Sequence, residues 1–361
     1  MVSTLYSFGA TGDGQEPFAG LVQGSDGNFY GTTSSSGPYR NGTFFRITSS
    51  GQETLLHAFN SATGDIAASA STLTIGPDGR FYGAAPFGGT ADMGAVFAAD
   101  MNGTVQVLYS FSSTNADGQH PRGKVVFDTA GNLYGTTTFG GAYGMGTVYK
   151  LTPNGSESIL YSFGAASDAA GPSNGLVLGN DGNLYGTSSS GGSTGKGTVF
   201  KLTLAGQETV LHSFGSGDGA SPESELTLAR DGSFYGTTYG GGAYGCGTVF
   251  HITPAGNETV LYAFGATSND ACGPMAAVTI GSDGNLYGTA GSGGTGNLGG
   301  GAIFTLTTAG KESVLYSFGG LNNNPNGREP AAPLIVGLDG MIYGTAVLGG
   351  TYGGGTVFRL N

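Results

Sequence analysis

The chain has 361 residues, 73 of them glycine, only 10% charged, and a formal net charge of −12. A surface this acidic and poor in Lys and Arg excludes nucleic acid, whose phosphates need basic partners, and argues equally against anionic membranes. No run of about 18 apolar residues is present, so no membrane insertion is expected. Glycine far above the usual ~7% reads as disorder unless the glycines are placed. Here they stand at fixed steps between aromatic and apolar runs, and 18 Tyr with 21 Phe supply core material.

In chain order the first element is Ser3-Thr-Leu-Tyr-Ser-Phe8, a strand-like run with no leader pattern before it, as in a trimmed mature form. A repeated unit then begins, marked by Tyr-Gly at Tyr30, Tyr82, Tyr134, Tyr185, Tyr235, Tyr287 and Tyr343. The steps are 52, 52, 51, 50, 52 and 56 residues, a period that with strands and no helices points to a propeller. The fourth unit shows the pattern. Gly175–Gly179 is a short apolar strand, and Asn180-Asp181-Gly182 is a hairpin turn in which Asp-Gly tolerates positive φ. Asn183–Ser188 is a second strand, Ser189–Lys196 a Gly/Ser loop, Gly197–Leu202 a third strand and Glu208–Phe214 a fourth. The chain ends on Gly355–Leu360, which is a third strand. The last blade, 333–360, therefore lacks its outer strand, and residues 3–8 supply it. That split closes a ring, whereas an open solenoid carries polar caps. The expected fold is all-β: one domain over 1–361, a seven-bladed β-propeller with four antiparallel strands per blade.

Residues 146–163 read Gly-Thr-Val-Tyr-Lys-Leu-Thr-Pro-Asn-Gly-Ser-Glu-Ser-Ile-Leu-Tyr-Ser-Phe, and residues 181–188 read Asp-Gly-Asn-Leu-Tyr-Gly-Thr-Ser. This pattern resembles the GloVer-type (choice-of-anchor) tandem repeat of secreted bacterial proteins, over essentially the whole chain. The resemblance implies a bacterial source and export to the exterior or the cell surface. It also implies a leader and a C-terminal anchor, and neither pattern stands in these residues. It supplies no catalytic residue.

A residue that recurs in most units is explained by the fold. The turn acids Asp26, Asp78, Asp181, Asp231, Asp283 and Asp339 are of this kind, as are Asp13, Asp65, Asp117, Asp168, Asp218 and Asp270 between blades. Their carboxylates are expected to bond local N–H groups; a ring of calcium sites is the alternative, without a second acid nearby in sequence to favour it. Lys150 with Glu157, Lys201 with Glu208 and Arg46 with Glu53 are expected to pair across a hairpin. His57 and His212 replace the Tyr of Tyr-Ser-Phe, His251 replaces a Lys, and only His120 is off pattern.

Subtraction leaves Glu16, Asp92, Asp100, Asp128, Glu223, Glu225 and Glu329, with the basic residues Arg40, Arg122, Lys124, Lys196 and Arg328. Asp100 and Asp128 fall on the hairpin side. The rest, and His120, fall on the face that carries the inter-blade loops and the loops between second and third strands, the top. The inter-blade loops align without gaps, giving the columns Glu16, Ala68, His120, Gly171, Ser221, Gly273, Glu329, then Phe18, Ala70, Arg122, Ser173, Glu223, Met275, Ala331, then Gly20, Thr72, Lys124, Gly175, Glu225, Ala277, Pro333. These columns are expected to ring the channel mouth. His120, Arg122, Lys124, Glu223 and Glu225 are the candidate catalytic set: a general base or acid with cations for developing negative charge, suited to β-elimination on an acidic sugar or to glycoside hydrolysis. The bland alternative is salt bridges closing the mouth. Glu16, Arg40, Asn174, Arg328 and Glu329, with the loop aromatics Tyr39, Phe87, Phe139, Tyr143, Tyr239, Tyr244 and Tyr352, are candidate ligand contacts. Cys246 and Cys272 lie in neighbouring top loops and are expected to form a disulfide in an oxidising compartment. No metal site and no cofactor motif is read. The leading expectation is a monomeric secreted module recognising a polysaccharide or other glycan, with a polysaccharide lyase or glycosidase, and a purely structural repeat, as alternatives.

Overall fold

The computed structural model describes residues 2–69, 71–114, 117–164, 167–172, 174–215, 217–295, 299–320 and 324–360. Seven antiparallel sheets follow one another along the chain, each supplying four strands to a blade. In blade 1 these are Val22–Gln23, Phe29–Thr33, Thr43–Ile47 and Glu53–Ala58. Blade 7 is built from Ile335–Val336, Ile342–Ala346 and Thr356–Leu360, and its outer strand is Val2–Ser7 from the other end of the chain. That strand pairs Val2 with Leu360 and Ser7 with Thr356, so the ring closes as a seven-bladed propeller.

The repeat motif is legible as mechanics. In the Tyr-Gly dipeptide the glycine lies under an aromatic ring of the third strand. A Cβ on Gly31 would stand 2.7 Å from Phe45, and one on Gly344 2.6 Å from Phe358. The tyrosine hydroxyl donates to the turn acid: Tyr30 to Asp26 (2.8 Å), Tyr185 to Asp181 (2.7 Å), Tyr343 to Asp339 (2.6 Å). The same carboxylates accept backbone N–H groups across the turn, as Asx turns do. Asp128, which looked off pattern, has this role in blade 3, where it accepts from Tyr134 (3.0 Å) and the Asn132 N–H (2.9 Å). Asp100 caps its own hairpin by accepting from Asn102 and Thr104.

The core is divided among the seams between blades, with one hydrophobic cluster at each of the seven. The Phe of Tyr-Ser-Phe is the key of each cluster. Phe8, Phe163 and Phe264 are fully buried and stand edge-on to Phe45, Phe200 and Phe304 of the next blade, at centroid distances of 5.0, 5.0 and 4.9 Å. Polar bonds cross the seams as well, such as Thr136 Oγ1 to the Asn174 carbonyl (2.7 Å).

The expected Lys–Glu hairpin pairs do not form. Leu151, not Lys150, stands opposite Glu157, and Leu202, not Lys201, stands opposite Glu208. A one-residue offset turns a side chain to the other face of the sheet. Lys201 accordingly bonds Asp181 (2.9 Å), while Glu157 turns into the seam toward Asp117. Burial first, and the Asp117 charge second, push Glu157 up to about 7. Glu53, Glu208 and Glu312 stand likewise in their own seams. No helix among the described residues is long and apolar enough to cross a membrane.

Candidate ligand site at the channel mouth

Six of the seven inter-blade loops are stapled by an aspartate, and Asn326 stands in its place in the loop between blades 6 and 7. Asp117 accepts the Gly118 N–H (2.8 Å) on one oxygen, and the Ser112 N–H (2.8 Å) and Tyr109 hydroxyl (3.1 Å) on the other. Three residues further on, every loop turns through a left-handed residue. Glu16, Ala68, His120, Ser221 and Glu329 hold φ between 52° and 59°, and glycine occupies the position at Gly171 and Gly273. Each of these residues donates its N–H to the top loop of the preceding blade, His120 to Met93 (2.9 Å) and Glu329 to Gly300 (2.7 Å). This turn aims the residues two and four positions later at the axis of the ring.

The result is a cavity of about 240 Å³ lined by Arg122 and Lys124 from blade 3, Asn174 from blade 4, and Glu223 and Glu225 from blade 5. Phe18 and Met275, in the same loop column as Arg122, complete the wall; the column was visible in the sequence, their apolar contribution was not. Below lies the channel, about 470 Å³, walled by the inner strands with Val22, Val126, Val177 and Ile335, and lined by Lys124 and Glu225 as well. Among the described residues no ion pair joins Arg122 or Lys124 to Glu223 or Glu225; the five pairs within 4.0 Å lie elsewhere. Burial holds the Glu223 carboxyl above its ordinary range. The Asn174 amide is occupied: it donates to Thr187 Oγ1 (2.9 Å) and to the Pro222 carbonyl (3.0 Å). Ser173 lies outside the described residues.

The first loop column does not line this cavity. His120 sits outward between two phenylalanines, its ring 5.2 Å from Phe87 and 5.8 Å from Phe139, and its Nδ1 is 2.8 Å from the Pro86 carbonyl. A carbonyl only accepts, so Nδ1 carries the proton. Arg328 and Glu329 bond each other (2.7 Å), and Glu16 is approached by Ser34 Oγ (3.4 Å). Arg40 holds a left-handed φ of 62° on an exposed loop beside Tyr39. Asp92 caps its loop by accepting the Gly88 N–H (2.8 Å). Tyr39, Tyr143, Tyr244 and Tyr352 occupy one position of the top loops in blades 1, 3, 5 and 7 and are 55–62% exposed. Phe87, Phe139 and Tyr239 are exposed on the same face. Cys246 and Cys272 form a disulfide, with Cα atoms 4.7 Å apart, that ties the top loop of blade 5 to the loop leaving it.

No curated protein matches the sequence. The architecture is similar to that of the extracellular domain of a B. thetaiotaomicron protein assigned as a one-component system, with TM-score 0.62, 13% identity, and 99% of this chain and 42% of that one covered. It is similar also to the extracellular domain of one assigned as a hybrid two-component system from the same organism, at TM-score 0.62, 10% identity and coverage of 96% and 39%. The chain thus spans about two fifths of each of these two. A Bacteroides fragilis protein assigned as a 6-phosphogluconolactonase aligns at TM-score 0.53 and 18% identity, covering 91% of this chain and 87% of that one. At such identities the likeness is one of fold. The model of the Gloeobacter/Verrucomicrobia repeat matches residues 1–138 and 74–297, and on that match the chain belongs to the Gloeobacter/Verrucomicrobia repeat family.

Proposed function

We propose that the channel mouth binds an anionic, hydroxyl-rich ligand, of which an acidic polysaccharide is the leading class, and that the protein works outside the cytoplasm. The single observation that carries this reading is the opposed set of unspent charges: Arg122 and Lys124 face Glu223 and Glu225 across one cavity without neutralising each other. Convergent polar groups on an otherwise apolar cavity are the mark of a ligand site. The cations take a carboxylate, and the glutamates accept hydroxyl protons. The exposed tyrosines of the surrounding loops offer flat faces to a chain running outward from the mouth. The Cys246–Cys272 bond fits an oxidising compartment.

Titration calorimetry with uronate-containing and neutral oligosaccharides tests the reading. Binding of the acidic set, abolished by the double substitution Arg122→Ala/Lys124→Ala with the fold unchanged, is the expected outcome. Equal binding of both sets, or an unaffected double variant, removes it. A catalytic reading is favoured by one feature, the raised Glu223 carboxyl, which is suited to donate a proton beside the two cations. New reducing ends or unsaturated uronates from the same polymers, lost in Glu223→Gln, support catalysis; binding without turnover leaves recognition alone.

A further inference from the structure

The inter-blade seams carry a second, unrelated constellation. At six of the seven seams an outer-strand side chain meets the stapling aspartate of the following loop, and at five of these the first glutamate of the next blade's outer strand joins in; at the seventh, Tyr316 accepts from the Asn326 amide instead (2.7 Å). Four of the five read Tyr–Asp–Glu: Tyr6, Asp13 and Glu53, then Tyr109, Asp117 and Glu157, then Tyr161, Asp168 and Glu208, and Tyr262, Asp270 and Glu312. The seam between blades 4 and 5 differs. Tyr is replaced by His212, and one ligand atom each of His212, Asp218 and Glu258 lies within 4.8 Å of the others. The seam between blades 1 and 2 also has a histidine, with His57 Nε2 2.7 Å from Asp65, but Val105 stands where the glutamate would be.

We propose that His212, Asp218 and Glu258 bind a divalent transition metal, zinc by ligand chemistry, between blades 4 and 5.

Three observations carry it. The donor set is one imidazole nitrogen and two carboxylate oxygens, each a ligand type that zinc takes, and it occurs once among the described residues. Glu258 Oε1 is sealed from solvent and has no hydrogen-bond partner among them; Glu157, Glu208 and Glu312 are alike in this, but only in this seam does an imidazole nitrogen stand within reach of the free carboxylate. Asp218 is also less committed than its counterparts. Where Asp117 and Asp168 each accept two backbone N–H groups, Asp218 accepts one among the described residues, from Gly215 (2.6 Å). The cause is in the sequence: Phe214 to Asp218 is four steps, against five from Phe163 to Asp168 and six from Phe111 to Asp117. His212 Nε2 is already 3.0 Å from Asp218 Oδ2, near the roughly 3.3 Å that tetrahedral ligands take around zinc at about 2.0 Å. The Glu258 ligand atom lies no more than 4.8 Å from the other two, a gap that binding would close by rotating its carboxylate. The side chains of His212 and Asp218 are 20% and 29% exposed, so an ion has a way in and a fourth position stays open. Neither a lysine nor an arginine pairs with these carboxylates among the described residues.

The repeat supplies its own variants for the test. The full chain, stripped with chelator and titrated with zinc chloride by calorimetry, takes up one equivalent. His212→Tyr installs the residue that five sister seams carry, so it keeps the far-ultraviolet spectrum and melting point of a folded propeller. It loses more affinity than the roughly 10–100-fold typical of losing an outer-shell partner, and Glu258→Gln does the same. Val105→Glu gives the His57–Asp65 pair its third ligand and raises the stoichiometry to two. No uptake by the unaltered chain overturns the proposal. So does full affinity in either folded loss variant, or a stoichiometry of one in folded Val105→Glu.

Discussion

The Tyr-Gly dipeptide was legible as a repeat marker because it recurs, and the structure gives the physical reason for each half of it. The tyrosine bolts the second strand to the turn acid. The glycine leaves room for the third-strand ring, which no composition argument reveals, since the ring belongs to a residue 14 positions away in the case of Gly31 and Phe45. Gly31→Ala puts a methyl 2.7 Å from that ring in a core that cannot give. The expected loss is about 1–3 kcal/mol, read from the shift in the denaturant midpoint at constant slope. Off-pattern charge was a coarser guide. Asp92, Asp100 and Asp128 proved to be loop and turn caps, while Arg122, Lys124, Glu223 and Glu225 gathered at one cavity. His120 separated from them because its backbone turns left-handed and directs its ring outward.

At the scale of the strand and hairpin, the sequence order of elements was readable and the register was not. A spacing of seven residues does not say which face a side chain takes, and the one-residue offset sent Glu157 and Glu208 into the seams instead of onto the surface. The consequence is electrostatic. Glu53, Glu157, Glu208 and Glu312 are pushed up to about 7, in each case by burial first and the facing aspartate second. A carboxyl whose folded-state value lies above its unfolded one stabilises the fold below the unfolded value, and that contribution is lost as pH rises through the folded one. The turn acids Asp26, Asp78, Asp128, Asp231, Asp283 and Asp339 are held below their ordinary value and act oppositely, their contribution fading in acid. The melting temperature is therefore expected to be highest near about pH 4 to 5, to fall from there to about pH 7, and to level off above it. Glu157→Gln, which removes the group facing Asp117, Tyr109 and Tyr149, flattens that fall in a scan of melting temperature against pH.

For the whole molecule, the closed ring followed from the split ends alone, because a unit that begins with its fourth strand and ends with its third has one complement. The geometry of the mouth did not follow, since it depends on which loop column clears the left-handed turn. If the closing seam is equivalent to an internal one, the same truncation weakens both alike. Phe8→Ala and Phe163→Ala each remove a fully buried ring standing edge-on to the next blade, and each is expected to lose about 3–5 kcal/mol by denaturant titration. A much smaller loss at Phe8 marks a ring that opens at its join.

The borrowed strand Val2–Ser7 also sets an order in time. As the polypeptide emerges, blades 1 to 6 assemble from neighbours in sequence, but the strand Val2–Ser7 waits for Thr356–Leu360, made after every other strand of the ring. Until then two strands present unpaired backbone edges, templates for pairing with another chain. A stalled or truncated copy is thus not a smaller propeller but an open one, offering at both ends the bonds that the finished ring keeps to itself.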